Sequence, residues 1–162
     1  MLTHKKTQNK NMKNLFLFAV ALLFSFSASS QILKPVKWSY AAKKISKNEA
    51  IVVIKATIDE GWHIYSQNMA EGGPVKTTFA FTPSKTYSVV GKTIEPKPIT
   101  KFEKTFDMNV SYFEKTAMFQ QKVKFSGTNP VVKGTVEYMV CDDQQCLPPE
   151  TVEFAVQLDP KK

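Results

Sequence analysis

Apolar residues along this chain recur at every second position, and no long stretch repeats them with the 3.6-residue period of a helix. Val52, Ile54, Ala56 and Ile58 alternate with Val53, Lys55, Thr57 and Asp59, which gives one strand an apolar face and ends it at Glu60-Gly61. Ala117, Phe119, Val123 and Phe125 repeat the pattern against Met118, Gln120, Lys122 and Lys124, before a turn at Ser126 to Pro130. Val136, Tyr138 and Val140, then Val152, Phe154, Val156 and Leu158, do the same further on. Trp62 to Tyr65, Thr77 to Phe81 and Tyr87 to Val90 read as shorter strands, the last ending at Gly91. About seven short strands separated by such turns predict an all-β chain, an immunoglobulin-like antiparallel β-sandwich in a single domain. In that frame the strands ending at Val140 and beginning at Thr151 are antiparallel neighbours.

Two stretches break the pattern. Ala41-Ala42-Lys43-Lys44 is expected to form at most one helical turn. Thr93 to Phe106 holds Pro96 and Pro98 without sustained alternation, so it is expected to be a structureless excursion over the surface, of the kind that often carries function.

The N-terminus has a different composition. Lys13, the apolar run Leu15 to Phe26 and the small residues Ala28-Ser29-Ser30 have the layout of a secretory signal peptide, expected over residues 1–30, with the exported domain over 31–162. Residues 1–11 are either an extended charged region or lie ahead of a true start at Met12. The run is shorter than the roughly 20 apolar residues a membrane span requires, so no stable membrane insertion is expected. No cysteine stands at the cleavage point, which argues against a lipoprotein. The net charge of +8 falls to about +4 without the four leader lysines, and the chain contains no arginine. Scattered lysines without arginine do not suit phosphate and base recognition, so nucleic acid is not an expected partner. The exported domain of about 130 residues is expected to be a periplasmic monomer.

The only two cysteines are Cys141 and Cys146. In an exported domain such a pair is able to form a stabilising disulfide. Closing a ring of about six residues, however, contributes only about 2 kcal/mol, against almost 5 for a ring of about 100. A small ring at a loop is also accessible, and accessible disulfides are the exchangeable ones. No helix N-terminus is in evidence to activate a thiol, and Asp142 and Asp143 between the cysteines oppose thiolate formation. The residues alone thus leave a structural staple and an exchange pair both open, the latter depending on a partner for activation.

Two segments resemble the N-terminal periplasmic domain of the thiol:disulfide interchange protein DsbD, the disulfide bond corrector family. One is Glu137-Tyr138-Met139-Val140-Cys141 followed by Cys146-Leu147-Pro148-Pro149-Glu150-Thr151; the other is Asp59-Glu60-Gly61-Trp62-His63-Ile64-Tyr65. The resemblance spans about residues 34 to 158. It implies a domain that passes reducing equivalents by disulfide exchange, with Cys146 as the sulfur that meets partners and Cys141 as the resolving one. It further implies an aromatic cap within Phe102 to Asp107, with Phe106 preferred to Phe102. The implied partners are thioredoxin-like proteins, a membrane thiol electron donor and oxidised periplasmic acceptors, in processes such as cytochrome c biogenesis. No cofactor is implied.

This sequence departs from the family's best-known members in three respects. It has one residue fewer between the cysteines. His63 and Tyr65 stand where two tyrosines are usual; Tyr65 is expected to support the sulfurs, while His63 is either a proton donor or a surface residue. The transmembrane and thioredoxin-like domains of the full-length family protein are not in this sequence, so a freestanding module is expected. The competing reading is a non-catalytic β-sandwich binding module with a structural disulfide. A metal site on the pair, with His63 and carboxylates, is a third and weaker one.

Overall fold

The strong alternations become the longest central strands. In the computed structural model, which describes residues 33–128 and 130–158, strands β1 (Val36–Lys44) and β2 (Glu49–Ile58) form an antiparallel hairpin. They are followed by β3 (His63–Tyr65), β4 (Thr78–Phe81), β5 (Tyr87–Ile94), β6 (Ile99–Glu103) and β7 (Met108–Glu114). The remainder are β8 (Thr116–Phe125), β9 (Val131–Tyr138), β10 (Val140–Cys141) and β11 (Glu150–Gln157), and no helix forms among the described residues. The segment expected to be a signal peptide lies outside the described residues.

Three antiparallel sheets result, with strand orders β1-β2-β8-β5, β10-β3-β7-β6 and β11-β9-β4. Their inward faces share one core. Phe119 of β8 lies 5.5 Å from Phe113 of the second sheet and 4.9 Å from Phe79 of the third, ring centre to ring centre. Val52, Ile54, Ile64, Val132 and Phe154 fill the same space. One layer is therefore the first sheet and the other is built from the second and third, the arrangement of an immunoglobulin-like sandwich.

The eleven strands exceed the expected number for identifiable reasons. Ala41 to Lys44 continue β1 instead of making a helical turn, because Trp38, Tyr40 and Ala42 pack at alternate positions against the core and the backbone pairs fully with β2. The supposed excursion contains β6, which pairs with β7. Gly91 does not end β5 but bulges it: at φ +71° the chain slips its register on β8 between Val90 and Ile94. The pairing of β9 with β11 runs only to Tyr138 opposite Glu150. After Met139 the chain leaves that sheet, and β10 pairs with β3. Cys141 thus pairs with His63, while the short Cys141–Cys146 hairpin forms the connection from β9 to β11.

Candidate functional site

The second sheet has two chemically different faces. Val140, Ile64 and Phe113 are aligned across β10, β3 and β7, and all three enter the main core. The adjacent row, Cys141, His63 and Glu114, must point the other way, because successive residues of a strand alternate faces. Tyr65 and Tyr112 form the next row on that outer face. The turn that starts β3 sets this parity: Gly61 adopts φ +81°, and the Trp62 amide donates to the Asp59 carbonyl at 3.2 Å.

Cys141 and Cys146 are joined by a disulfide. The Asp142 amide donates to the Gln145 carbonyl and the Leu147 amide to the Val140 carbonyl, both at 2.9 Å. The cysteines are thus the non-hydrogen-bonded pair of a tiny hairpin, the position where antiparallel backbones come closest, and their Cα atoms are 4.0 Å apart. The Asp142 carboxylate closes the loop by accepting from the Gln144 amide at 2.8 Å and the Gln145 amide at 2.7 Å. Those two bonds hold the Asp142 carboxyl below its ordinary value.

The two sulfur-bearing residues differ in environment. Cys141 is 1% exposed and packs with Tyr65 and Val110, with Phe106, Met108, Tyr112 and Met139 around them. Cys146 is exposed. The stretch beyond it is held in place: Leu147 packs on the core, and the Tyr138 hydroxyl donates to Glu150 at 3.0 Å. Burial, with Glu150 beside it, raises the Tyr138 phenol to about 12.

A cleft of about 480 Å³ opens over the pair, lined by both cysteines, His63, Tyr65, Phe106 and Tyr112. Glu103, Glu114, Asp142 and Asp143 also line it, with Lys101 as a counter-charge. His63 Nε2 and the Tyr65 hydroxyl are 3.2 Å apart, and the imidazole lies 5.3 Å from the Tyr65 ring and 4.9 Å from the Tyr112 ring. Burial lowers the His63 pKa, partly countered by Glu114, Asp143, Glu103 and Asp142. Burial, with Glu103 nearby, raises the Tyr65 phenol to about 12.

Phe106 sits in the four-residue loop joining β6 to β7, where its amide donates to Glu103 and Asp107 adopts a left-handed φ of +51° that aspartate tolerates. Phe102 is placed differently. It is paired with Asn109 on the opposite face of the sheet and is 52% exposed, away from the cleft. The link from β5 to β6 is tied to the chain after β3 by Glu95, which accepts from Ser66 Oγ at 2.6 Å, the Gln67 amide at 2.9 Å and Asn68 Nδ2 at 2.8 Å. Tyr112 and Glu114 are not legible in the sequence as site-forming residues, because cross-strand partners leave no local signal there.

The family model for "Thiol:disulfide interchange protein DsbD, N-terminal" matches residues 29–158. The chain belongs to this family. It is a thiol:disulfide exchange domain of the DsbD N-terminal type that contains a disulfide-bonded cysteine pair, Cys141–Cys146. The Neisseria meningitidis DsbD N-terminal domain in its reduced form is similar in fold, at 17% identity and a TM-score of 0.55 over 78% of this chain and 90% of that one. The N-terminal periplasmic domain of ScsB from Proteus mirabilis gives 18% identity and a TM-score of 0.57, over 78% of this chain and 47% of that one. A third similar chain is from the complex between the DsbD and PilB N-terminal domains of Neisseria meningitidis, at 16% identity, a TM-score of 0.53, and coverage of 77% and 87%. No curated protein matches the chain.

Proposed function

We propose that this DsbD N-terminal type domain acts after export to the periplasm, behind a cleaved leader over residues 1–30, as a relay of reducing equivalents. An upstream dithiol, such as that of a membrane electron donor, reduces the Cys141–Cys146 bond. The reduced pair then reduces a thioredoxin-like protein or another oxidised periplasmic protein. The observation that carries this reading is the asymmetry of the pair: Cys146 is exposed in an open cleft while Cys141 is 1% exposed behind it. A partner thiolate has access to Cys146, and Cys141 is positioned to resolve the resulting mixed disulfide. The complex of the Neisseria domain with the PilB N-terminal domain supports protein partners for this kind of surface. Phe106 is the proposed shield, since it packs beside Cys141 and lines the cleft that a partner must enter.

The exchange requires only sulfur chemistry. The incoming thiolate forms a bond to Cys146 Sγ, the Cys141–Cys146 bond breaks, and the electron pair leaves on Cys141; a second thiolate of the donor then releases Cys146. The reverse sequence reduces the acceptor. The test is to express Cys141→Ala in the exported compartment and look for covalent adducts on Cys146. Adducts that disappear on reduction, and that are absent from Cys146→Ala, are expected. Absence of adducts from both variants would remove the relay from consideration.

A further inference from the structure

Whichever way electrons flow, Cys141 must cross between thiol and disulfide in a place that disfavours its thiolate. Its side chain is buried with Tyr65 and Val110, so an anionic sulfur there loses its water. Asp142 and Asp143 follow it directly and add negative charge. Exchange therefore needs a base that takes the proton when Cys141 attacks and returns it when Cys141 leaves.

We propose that His63 is that base, a catalytic partner of Cys141. This rests on the exchange reading above and assigns one of its steps. Strand register places His63 directly opposite Cys141 on the same outer face of the sheet, and both line the cleft. The ring is held in place by the Tyr65 hydroxyl and by the faces of Tyr65 and Tyr112.

The other groups facing the cleft are unsuited to the task. Glu114 of β7, Glu103 of β6, and Asp142 and Asp143 of the cysteine hairpin are carboxylates, far too weak as bases for a thiol. Lys101 of β6 contributes an ammonium, which has no lone pair to accept a proton, and Tyr65 and Tyr112 are phenols. Burial keeps His63 neutral at neutral pH, the form that accepts a proton, and the four carboxylates around it stabilise the imidazolium that results.

From the mixed disulfide between Cys146 and a partner, the Cys141 proton passes to the imidazole and its electron pair forms the Cys141–Cys146 bond. The Cys146–partner bond breaks, and the partner sulfur leaves as thiolate with the electron pair. The cysteine pair is oxidised by two electrons and the partner's disulfide is reduced by two. In the opposite direction the imidazolium protonates Cys141 as it leaves.

Ellman's disulfide reads the two steps separately. Attack by Cys146 releases a first thionitrobenzoate, and ring closure by Cys141 releases a second; Cys141→Ala must show only the first. In His63→Gln we expect an unchanged first phase, which reports an intact site, and a second phase slowed by about 10- to 100-fold at pH 7, at or just below the usual range for a general base. Added imidazole should restore part of the rate, and the deficit should close at high pH, where hydroxide deprotonates Cys141. In the unmodified protein the second phase should fall as pH drops through the His63 titration, below about 6.5, a readout independent of how any variant folds. A second phase insensitive to this titration, or a His63→Gln deficit that is constant with pH and unaffected by imidazole, overturns the assignment. If the unmodified protein releases no second thionitrobenzoate, the exchange reading fails as well.

Discussion

The two faces of the β10-β3-β7-β6 sheet are one residue apart in sequence and opposed in chemistry. Val140, Ile64 and Phe113 join an apolar core that closes around Phe119. Cys141, His63 and Glu114, their immediate neighbours, stand with Tyr65 in an open cleft with ionisable groups around it. Strand alternation thus lets the sandwich carry the cysteine pair on the face opposite its main core. The stability carried by one face and the exchange proposed for the other should be separable by substitution.

The largest expected effect is on the core face. Phe119→Ala should lower unfolding stability by about 3–5 kcal/mol in denaturant titration, while the two thionitrobenzoate phases of the folded fraction keep their rates. A comparable change in those rates would show that the faces are coupled. Next, Cys146→Ser should cost only about 2 kcal/mol, the worth of so small a ring, yet abolish exchange completely. A stability loss of 4 kcal/mol or more would mark the disulfide as a staple. Phe106→Ala comes third: unshielding the pair should speed its reduction by 2-mercaptoethanol by several-fold to about tenfold, or up to about 1.4 kcal/mol in the barrier. An unchanged rate would show that Phe106 does not cover the pair.

The smallest effect is a pH slope. Burial lowers the His63 pKa in the folded protein, so between that value and the unfolded value of about 6.5 the unfolded chain binds more protons. The His63 contribution is therefore present above about pH 6.5 and is lost as pH falls through the folded pKa. The thermal midpoint should decline on acidification across this window, and His63→Gln should flatten the decline. The same slope in both proteins would assign the pH sensitivity to other groups.

The contrast between the faces also explains what the sequence made legible. Strands β2 and β8 bury every second residue, so their alternation stood out and the sandwich followed from it. Strand β6 lies at a sheet edge and is exposed on both sides over most of its length, so Ile99 to Glu103 carried no alternation and read as irregular chain. The switch of sheets at Met139 was invisible because Tyr138 and Val140 both remain buried, preserving the alternation across the break. The cysteines and the Pro-Pro-Glu-Thr segment marked the site locally. Its cleft could not be read in the same way, since Tyr112, Glu114 and Lys101 reach it only through the pairing of β7 with β3 and β6.

On the proposed function, the Cys141–Cys146 bridge is exchangeable and not a staple. Its reduction potential, measured by equilibration against a thioredoxin-type dithiol, tests this most directly. A value in the range of thiol-exchange proteins, roughly −180 to −270 mV, is expected, with reduction going readily under those conditions. A potential below about −300 mV, with the bridge resisting that dithiol, would contradict it and leave a structural disulfide in a binding module.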